Sequence, residues 1–207
     1  MNLITRSLLL LSLLFAARII HSCSCPDNPH YFDFDLLTIS NLDNSNDYLR
    51  SNQTDTMFSA SVAFEISISG SRVFAQNHKS NFGFGFSEAT AMEPCPIRFV
   101  PNQHITNITI RTLEAISSAI PQNTDVTNLF LGLIPYNSSS GYMYESIADL
   151  ISKVNQQSLF DDPTSTFHLF CKENIQNEKA RFEVTVHLSD GRTLTAITNP
   201  IHLKPSF

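Results

Sequence analysis

The sequence predicts a mostly β protein, an immunoglobulin-like β-sandwich with one short amphipathic helix. Three observations carry this expectation. Several short runs alternate apolar and polar residues with period two. An Asp-Gly pair separates two such runs near the carboxyl end. Only one stretch after the first 22 residues carries apolar residues at helical spacing.

Residues 1–22 read as a signal peptide. Arg6 supplies a positive start, and Leu8 to Ala17 is an apolar run rich in leucine. That run is shorter than the about 20 apolar residues that cross a bilayer, and it fits the apolar core of a secretory signal. Its apolar residues surround a helix instead of striping it, unlike a buried amphipathic helix. Ile20-His21-Ser22-Cys23 then resembles a bacterial lipobox, with Arg18 and His21 departing from the common pattern. On this reading Cys23 becomes the mature amino terminus and carries acyl chains such as palmitate. Each buried CH₂ contributes about 0.8 kcal/mol, so several chains hold a protein on a membrane. Residues 23–30 would be the lipid-anchor tether, and residues 31–207 a single β-sandwich-like domain. Ordinary signal-peptidase cleavage would instead leave Cys23 as a thiol or half of a disulfide.

Tyr31 to Leu42 reads as the first strand, because Phe32, Phe34 and Leu36 alternate with Asp33 and Asp35. Asp43 to Gln53 is polar and reads as a loop. Phe58 to Ser69 is the clearest strand, with Val62, Phe64, Ile66 and Ile68 on one face and Ala63, Glu65, Ser67 and Ser69 on the other. Phe82-Gly83-Phe84-Gly85-Phe86 would point three rings at the core, its glycines leaving room for close packing behind. His104 to Leu113 alternates around Ile108 and Ile110, and Asp125 to Ile134 is a mixed stretch ending at Pro135. Met143, Ile147, Leu150, Ile151 and Val154 form the helix stripe. Thr166 to Lys172 is a strand. Arg181 to Leu188 and Arg192 to Leu203 flank Ser189-Asp190-Gly191, a hairpin signal because glycine tolerates positive φ.

Four cysteines are present: Cys23, Cys25, Cys95 and Cys171. With Cys23 acylated, at most one disulfide forms. Cys25 and Cys95 are the candidate pair, each beside proline in loop-like surroundings. Cys171 sits in an apolar strand pattern that suits a small buried thiol. Without acylation, two disulfides with three connectivities are open.

Composition narrows function more than it names it. The chain is 207 residues long and 15% charged, against about 25% in ordinary domains. The signal segment holds Arg6 and Arg18 and no acid, so its removal takes the formal charge from −6 to −8. Such a surface repels phosphate backbones, and no Lys/Arg cluster reverses this locally, so no nucleic-acid partner is expected. No Gly-x-Ser-x-Gly elbow surrounds Ser87 or any other serine. Asp43-Asn44-Ser45-Asn46-Asp47 begins like a calcium loop but has Tyr48 where glycine is needed and Thr54 where glutamate is needed. Asp33 and Asp35 have a spacing that could serve glycoside hydrolysis, although a solvated strand face is the plainer reading. His168, His187 and His202 lie in three strand patterns and would need the fold to bring them together to bind metal. Tyr136, Tyr142 and Tyr144 could replace the absent tryptophan as a sugar-stacking surface, though a loop packing its own aromatics explains them too. The sequons at Asn52, Asn107 and Asn137 matter only in a eukaryotic secretory pathway. Neither a catalytic residue, a cofactor nor a metal is assigned.

The lipobox-like Cys23, the nearby Cys25, the run Tyr31-Phe32-Asp33-Phe34-Asp35 and the proline-flanked Cys95 make one pattern. It continues through Ile108-Thr109-Ile110-Arg111-Thr112, Thr124-Asp125-Val126-Thr127 with Phe130, and Val186-His187-Leu188-Ser189-Asp190-Gly191-Arg192. The pattern resembles a family of uncharacterised Gram-negative lipoproteins of about this length. The resemblance implies a lipid-anchored, β-sandwich-like cell-envelope protein on the outer membrane, facing the periplasm or the surface. The expected role is a non-enzymatic binding or structural module, held to the membrane by its anchor and meeting a protein or glycan partner. An envelope hydrolase acting on glycan or peptide, and a subunit of a surface fibre or adhesive assembly, are the alternatives.

Overall fold

The computed structural model describes residues 29–45, 50–51, 55–70, 73–74, 98–135, 143–157, 160 and 162–205. The signal peptide, Cys23, Cys25, Cys95, the Phe82–Phe86 alternation and Ser87 lie outside the described residues.

In chain order the strands are β1 (His30–Phe32), β2 (Leu36–Asp43), β3 (Arg50–Ser51), β4 (Thr56–Phe58), β5 (Val62–Ser69), β6 (Val73–Phe74), β7 (Phe99–Pro101), β8 (Ile105–Thr112) and β9 (Phe130–Leu133). Then follow helix α1 (Ile147–Gln156), β10 (Thr164–Cys171), β11 (Lys179–Ala180), β12 (Phe182–Leu188), β13 (Thr193–Ile197) and β14 (Ile201–Lys204). A 3₁₀ turn, Thr127–Leu129, leads into β9. Among the described residues the fold is mostly β with a single short α-helix, as the periodicity predicted. One antiparallel sheet has the order β3-β2-β5-β10-β9, and another the order β13-β12-β8. Two small sheets, β6-β1-β7 and β11-β14-β4, each contain one parallel pairing.

The two antiparallel sheets enclose the main core. On β5, Val62, Phe64, Ile66 and Ile68 are buried on one face, which is the parity the sequence predicted. From the opposing sheet, β12 turns Phe182, Val184 and Val186 inward. Phe64 stacks on Phe130 at 5.7 Å and meets Phe182 at 5.4 Å, while Phe130 meets Phe182 edge-on at 5.6 Å. Each such pair contributes about 0.5–1.5 kcal/mol beyond area burial.

The sandwich has two long sides to close. On one, β13 runs beside β2. On the other, α1 packs against both β8 and β9. The helix starts where Ser146 caps it. The serine hydroxyl accepts from the Asp149 amide and donates to the Asp149 carboxylate, a reciprocal cap of the Ser-x-x-acid type. Met143, placed in the helix stripe by spacing, therefore precedes the helix and is 63% exposed. Ile147, Leu150 and Val154 form the buried stripe. Leu150 lies on Gly132 of β9, and near the other end Asn155 docks on β8. The Asn155 side chain accepts from the Ile105 amide at 2.9 Å and donates to the Ile105 carbonyl at 2.8 Å, so one side-chain amide replaces a neighbouring strand.

Several predicted runs divide where the chain changes sheet. Tyr31 to Leu42 is not one strand. Asp33 accepts from Asn102 and Gln103, and the Phe34 amide donates to the Gln103 side chain, so residues 33–35 leave the ladder. The alternation slips by one: Phe32 and Phe34 are buried, Leu36 is 54% exposed and Leu37 takes the inward place. Phe58 to Ser69 breaks at the turn Ser59-Ala60, leaving β4 and β5 in different sheets. Arg192 to Leu203 breaks before Pro200, where buried Thr198 accepts from the Phe182 amide through its hydroxyl. The predicted loop from Asp43 contains β3, which pairs back on β2 through Leu42↔Ser51 and Asp43↔Arg50. The Asp-Gly hairpin is present: β12 and β13 pair around it, and Gly191 has φ +87°.

A Cβ added to Gly132 would lie 2.5 Å from Leu150 Cδ2 and 2.9 Å from Leu150 Cβ. Gly132→Ala should therefore push α1 off β9 and cost about 1–3 kcal/mol in urea unfolding. An unchanged midpoint would mean that the helix does not pack on this glycine.

Candidate functional site

The structure separates the predicted site residues. Asp33 and Asp35 occupy the break between β1 and β2, where each meets other groups. Asp33 accepts from Asn102 Nδ2 at 2.8 Å and Gln103 Nε2 at 2.7 Å. Asp35 pairs with Arg192 at 3.2 Å. Their roles in this geometry are to bind the chain to itself. His168, His187 and His202 lie on β10, β12 and β14, strands of three different sheets. Among the described residues no group of three His, Cys, Asp or Glu side chains could hold a metal ion. Cys171 is buried as predicted, and burial pushes its thiol up to about 11, which keeps it un-ionised and unreactive. Asn107, on β8, is exposed.

A cleft of about 510 Å³ opens where the 3₁₀ turn, the end of β10 and the start of α1 meet. Asp125, Thr127, Asn128, Phe130, Leu131, Ser146, Ile147 and Lys172 line it. Its wall is pinned from three directions. Asp125 bridges to Arg111 of β8 through the backbone. Its carboxylate accepts from both the Thr127 amide at 2.9 Å and the Thr127 hydroxyl at 2.7 Å. The same hydroxyl accepts from the Ile110 amide at 2.8 Å, tying the turn to β8. The Lys172 amide donates to the Leu129 carbonyl, tying the turn to β10.

These contacts decide what the cleft can do. The Thr127 hydroxyl, then its amide, hold the Asp125 carboxyl below the ordinary carboxylate range, with Arg111 adding a smaller pull. Asp125 is therefore an ionised acceptor at neutral pH, poorly suited to deliver a proton. The amino terminus of α1 is already capped by Ser146 and faces its own Asp149, which offsets its attraction for an external anion. The result is an open cleft with an apolar floor and a polar rim of both charges. In the sequence, Asp125 and Thr127 belong to the run Thr124-Asp125-Val126-Thr127. The Asp-x-Thr spacing was the available signal, since it favours a side-chain-to-backbone turn.

The outer face of the β3-β2-β5-β10-β9 sheet carries a second feature. Leu42, Ala63, Leu133 and Phe170 form a small buried cluster there. Tyr144, half exposed, rests edge-on against Phe170 at 4.8 Å. Beside them His168 is 7% exposed, with Nε2 3.3 Å from the Glu65 carboxylate. An ionised carboxylate can only accept, so Nε2 carries the hydrogen and Nδ1 is the bare nitrogen. That Nδ1 is buried without a hydrogen-bond partner among the described residues. Burial lowers the His168 pKa below 6.5, and Glu65 opposes the shift only in part.

Comparison with protein-family models, curated proteins and solved structures finds no match to this chain.

The buried imidazole sets a pH dependence. Folded His168 binds a proton less readily than the unfolded residue at 6.5, so acid favours unfolding. The stability it affects is complete above about 6.5 and declines as pH falls through the lowered folded value. Urea unfolding at about pH 7.5 and about pH 5.5 should show a smaller acid loss in His168→Gln than in the unsubstituted chain. Equal losses would remove His168 as the cause.

Proposed function

We propose that this chain is a cell-envelope lipoprotein whose folded part is a non-enzymatic binding or structural module held close to a membrane by acyl chains on Cys23. The observation that carries the reading is how soon the fold begins. β1 starts at His30, seven positions after Cys23, and Phe32 is fully buried. An extended segment of that length spans roughly 25 Å at the usual rise per residue. An acylated Cys23 would keep the sandwich against the lipid surface, with little freedom to reach outward. The lipobox-like sequence and the resemblance to Gram-negative lipoproteins support the same reading.

The non-enzymatic part rests on the state of the reactive groups. Asp33 and Asp35 are held in structural contacts, Asp125 is held ionised, Cys171 is held neutral, and the strand histidines lie apart. A fibre subunit built by exchange of a terminal strand finds less support. β14 lies between β11 and β4, so releasing it would break two pairings.

The intact mass of the protein extracted from membranes of its own host tests this. The expected mass exceeds that of residues 23–207 by a diacylglyceryl group and an acyl chain. Cys23→Ser should lose that increment and move from the detergent phase to the aqueous phase. An unmodified, freely soluble protein would overturn the anchor, and turnover of a glycan or peptide panel would overturn the non-enzymatic role.

A further inference from the structure

We propose that the cleft between the 3₁₀ turn, the end of β10 and the start of α1 is a binding site for a neutral saccharide of hexose or N-acetylhexosamine units. This rests on the binding-module reading above and names the ligand class.

The first reason is the distribution of polar capacity. Leu131, with the small uncovered parts of Ile147 and Phe130, provides the apolar surface, and the exposed Asp125, Asn128 and Lys172 stand at the rim. One Asp125 oxygen takes both bonds from Thr127, and among the described residues the other takes none. Among the described residues, the Asn128 amide and the Lys172 ammonium make no side-chain hydrogen bond or ion pair. The rim therefore offers a charged acceptor, a mixed donor-acceptor and a charged donor around an apolar surface. A pyranose has the matching surface: hydroxyls that both donate and accept at its edges, and C–H groups on its faces. The volume of about 510 Å³ lies in the ordinary small-molecule range of roughly 300–1,000 Å³ and has room for a mono- or disaccharide.

The second reason is a fixed aromatic surface beside the cleft. Phe170 stands opposite Leu131 in the ladder of β10 and β9. Glu145 pairs with Gly132 on the far side of β9, which places Tyr144 and Ser146 along that edge. Tyr144, with its ring braced by Phe170, is half exposed two residues before Ser146 of the cleft wall. A sugar seated on Leu131 can extend its C–H face toward that ring. Bracing by Phe170 and pinning by Thr127 mean that little side-chain order is lost on binding.

Other ligand classes fit less well. A divalent cation would find one carboxylate, and an anion would meet Asp125 beside a helix terminus already occupied by Asp149. Lys172 and Asp125 balance each other, which favours a neutral ligand. An extended peptide would need an open strand edge, but β9 pairs with β10 on one side and with Glu145 on the other.

Calorimetric titration of the purified full protein with cello-, chito- and galacto-oligosaccharides tests the proposal, with a hexuronate oligomer as the charged control. Saturable binding of at least one neutral oligosaccharide is expected. Lys172→Ala and Asn128→Ala should each weaken it about tenfold without lowering the melting temperature, Tyr144→Ala should weaken it by a similar factor while lowering the melting temperature slightly through its lost contact with Phe170, and the hexuronate should bind less tightly. Binding unchanged in all three variants would place the sugar elsewhere and overturn the cleft assignment. Absence of heat with every neutral oligosaccharide, the sugars being recovered intact, would overturn the ligand class while leaving the module reading standing. Recovery of cleaved sugars would overturn the module reading itself.

Discussion

The contact of Phe64, Phe130 and Phe182 sets the separation of the two main sheets, and the rest of the fold adjusts to that spacing. Rings from β5, β9 and β12 meet within 5.4 to 5.7 Å. A core that thick leaves a gap along the side between β9 and β8. Helix α1 fills it, and the fit is close enough that β9 carries no side chain where Leu150 lies. Asn155 then satisfies the backbone of Ile105, which would otherwise be left at an open strand edge. The cleft exists because the helix starts where it does. Ser146 begins the helix at one wall, and the pinned turn through Thr127 makes the other.

Much of this order was legible in the sequence, and the reason is local. The inward set of β5, the buried stripe of α1 and the Asp190-Gly191 hairpin each follow from residues within one element. Periodicity states which residues share a face. It does not state which sheet receives them. The break at Asp33–Asp35 depends on Gln103, far along the chain, whose side chain replaces a ladder partner for Phe34. Likewise β4 and β5, or β13 and β14, read as single runs because each half has suitable alternation. They separate because Ser59-Ala60 turns the chain and because Thr198 and Pro200 end the ladder.

The site was less legible for the same reason. Asp125 and Lys172 are unremarkable as sequence, and only the turn, the strand end and the helix start together make them neighbours across a cleft. His168 could be placed on a strand, but its burial against an acidic neighbour required the register His168↔Glu65. The residues that looked most chemical, Asp33 and Asp35, instead join segments of the chain. Short side chains with two acceptor oxygens serve that purpose as readily as catalysis, and sequence does not distinguish the uses.

The pairing of β4 with β14 bears on when the domain can become native. Thr56, Met57 and Phe58 lie in register with His202, Leu203 and Lys204, strands brought together across most of the chain. Contacts of such long range slow folding, because a large loop must close before any of them forms. A chain delivered amino end first, as in synthesis, could not complete this sheet until residues 201–204 had emerged. The topology postpones the last pairing of the domain to the end of chain delivery, and it leaves β4 without β14 until then.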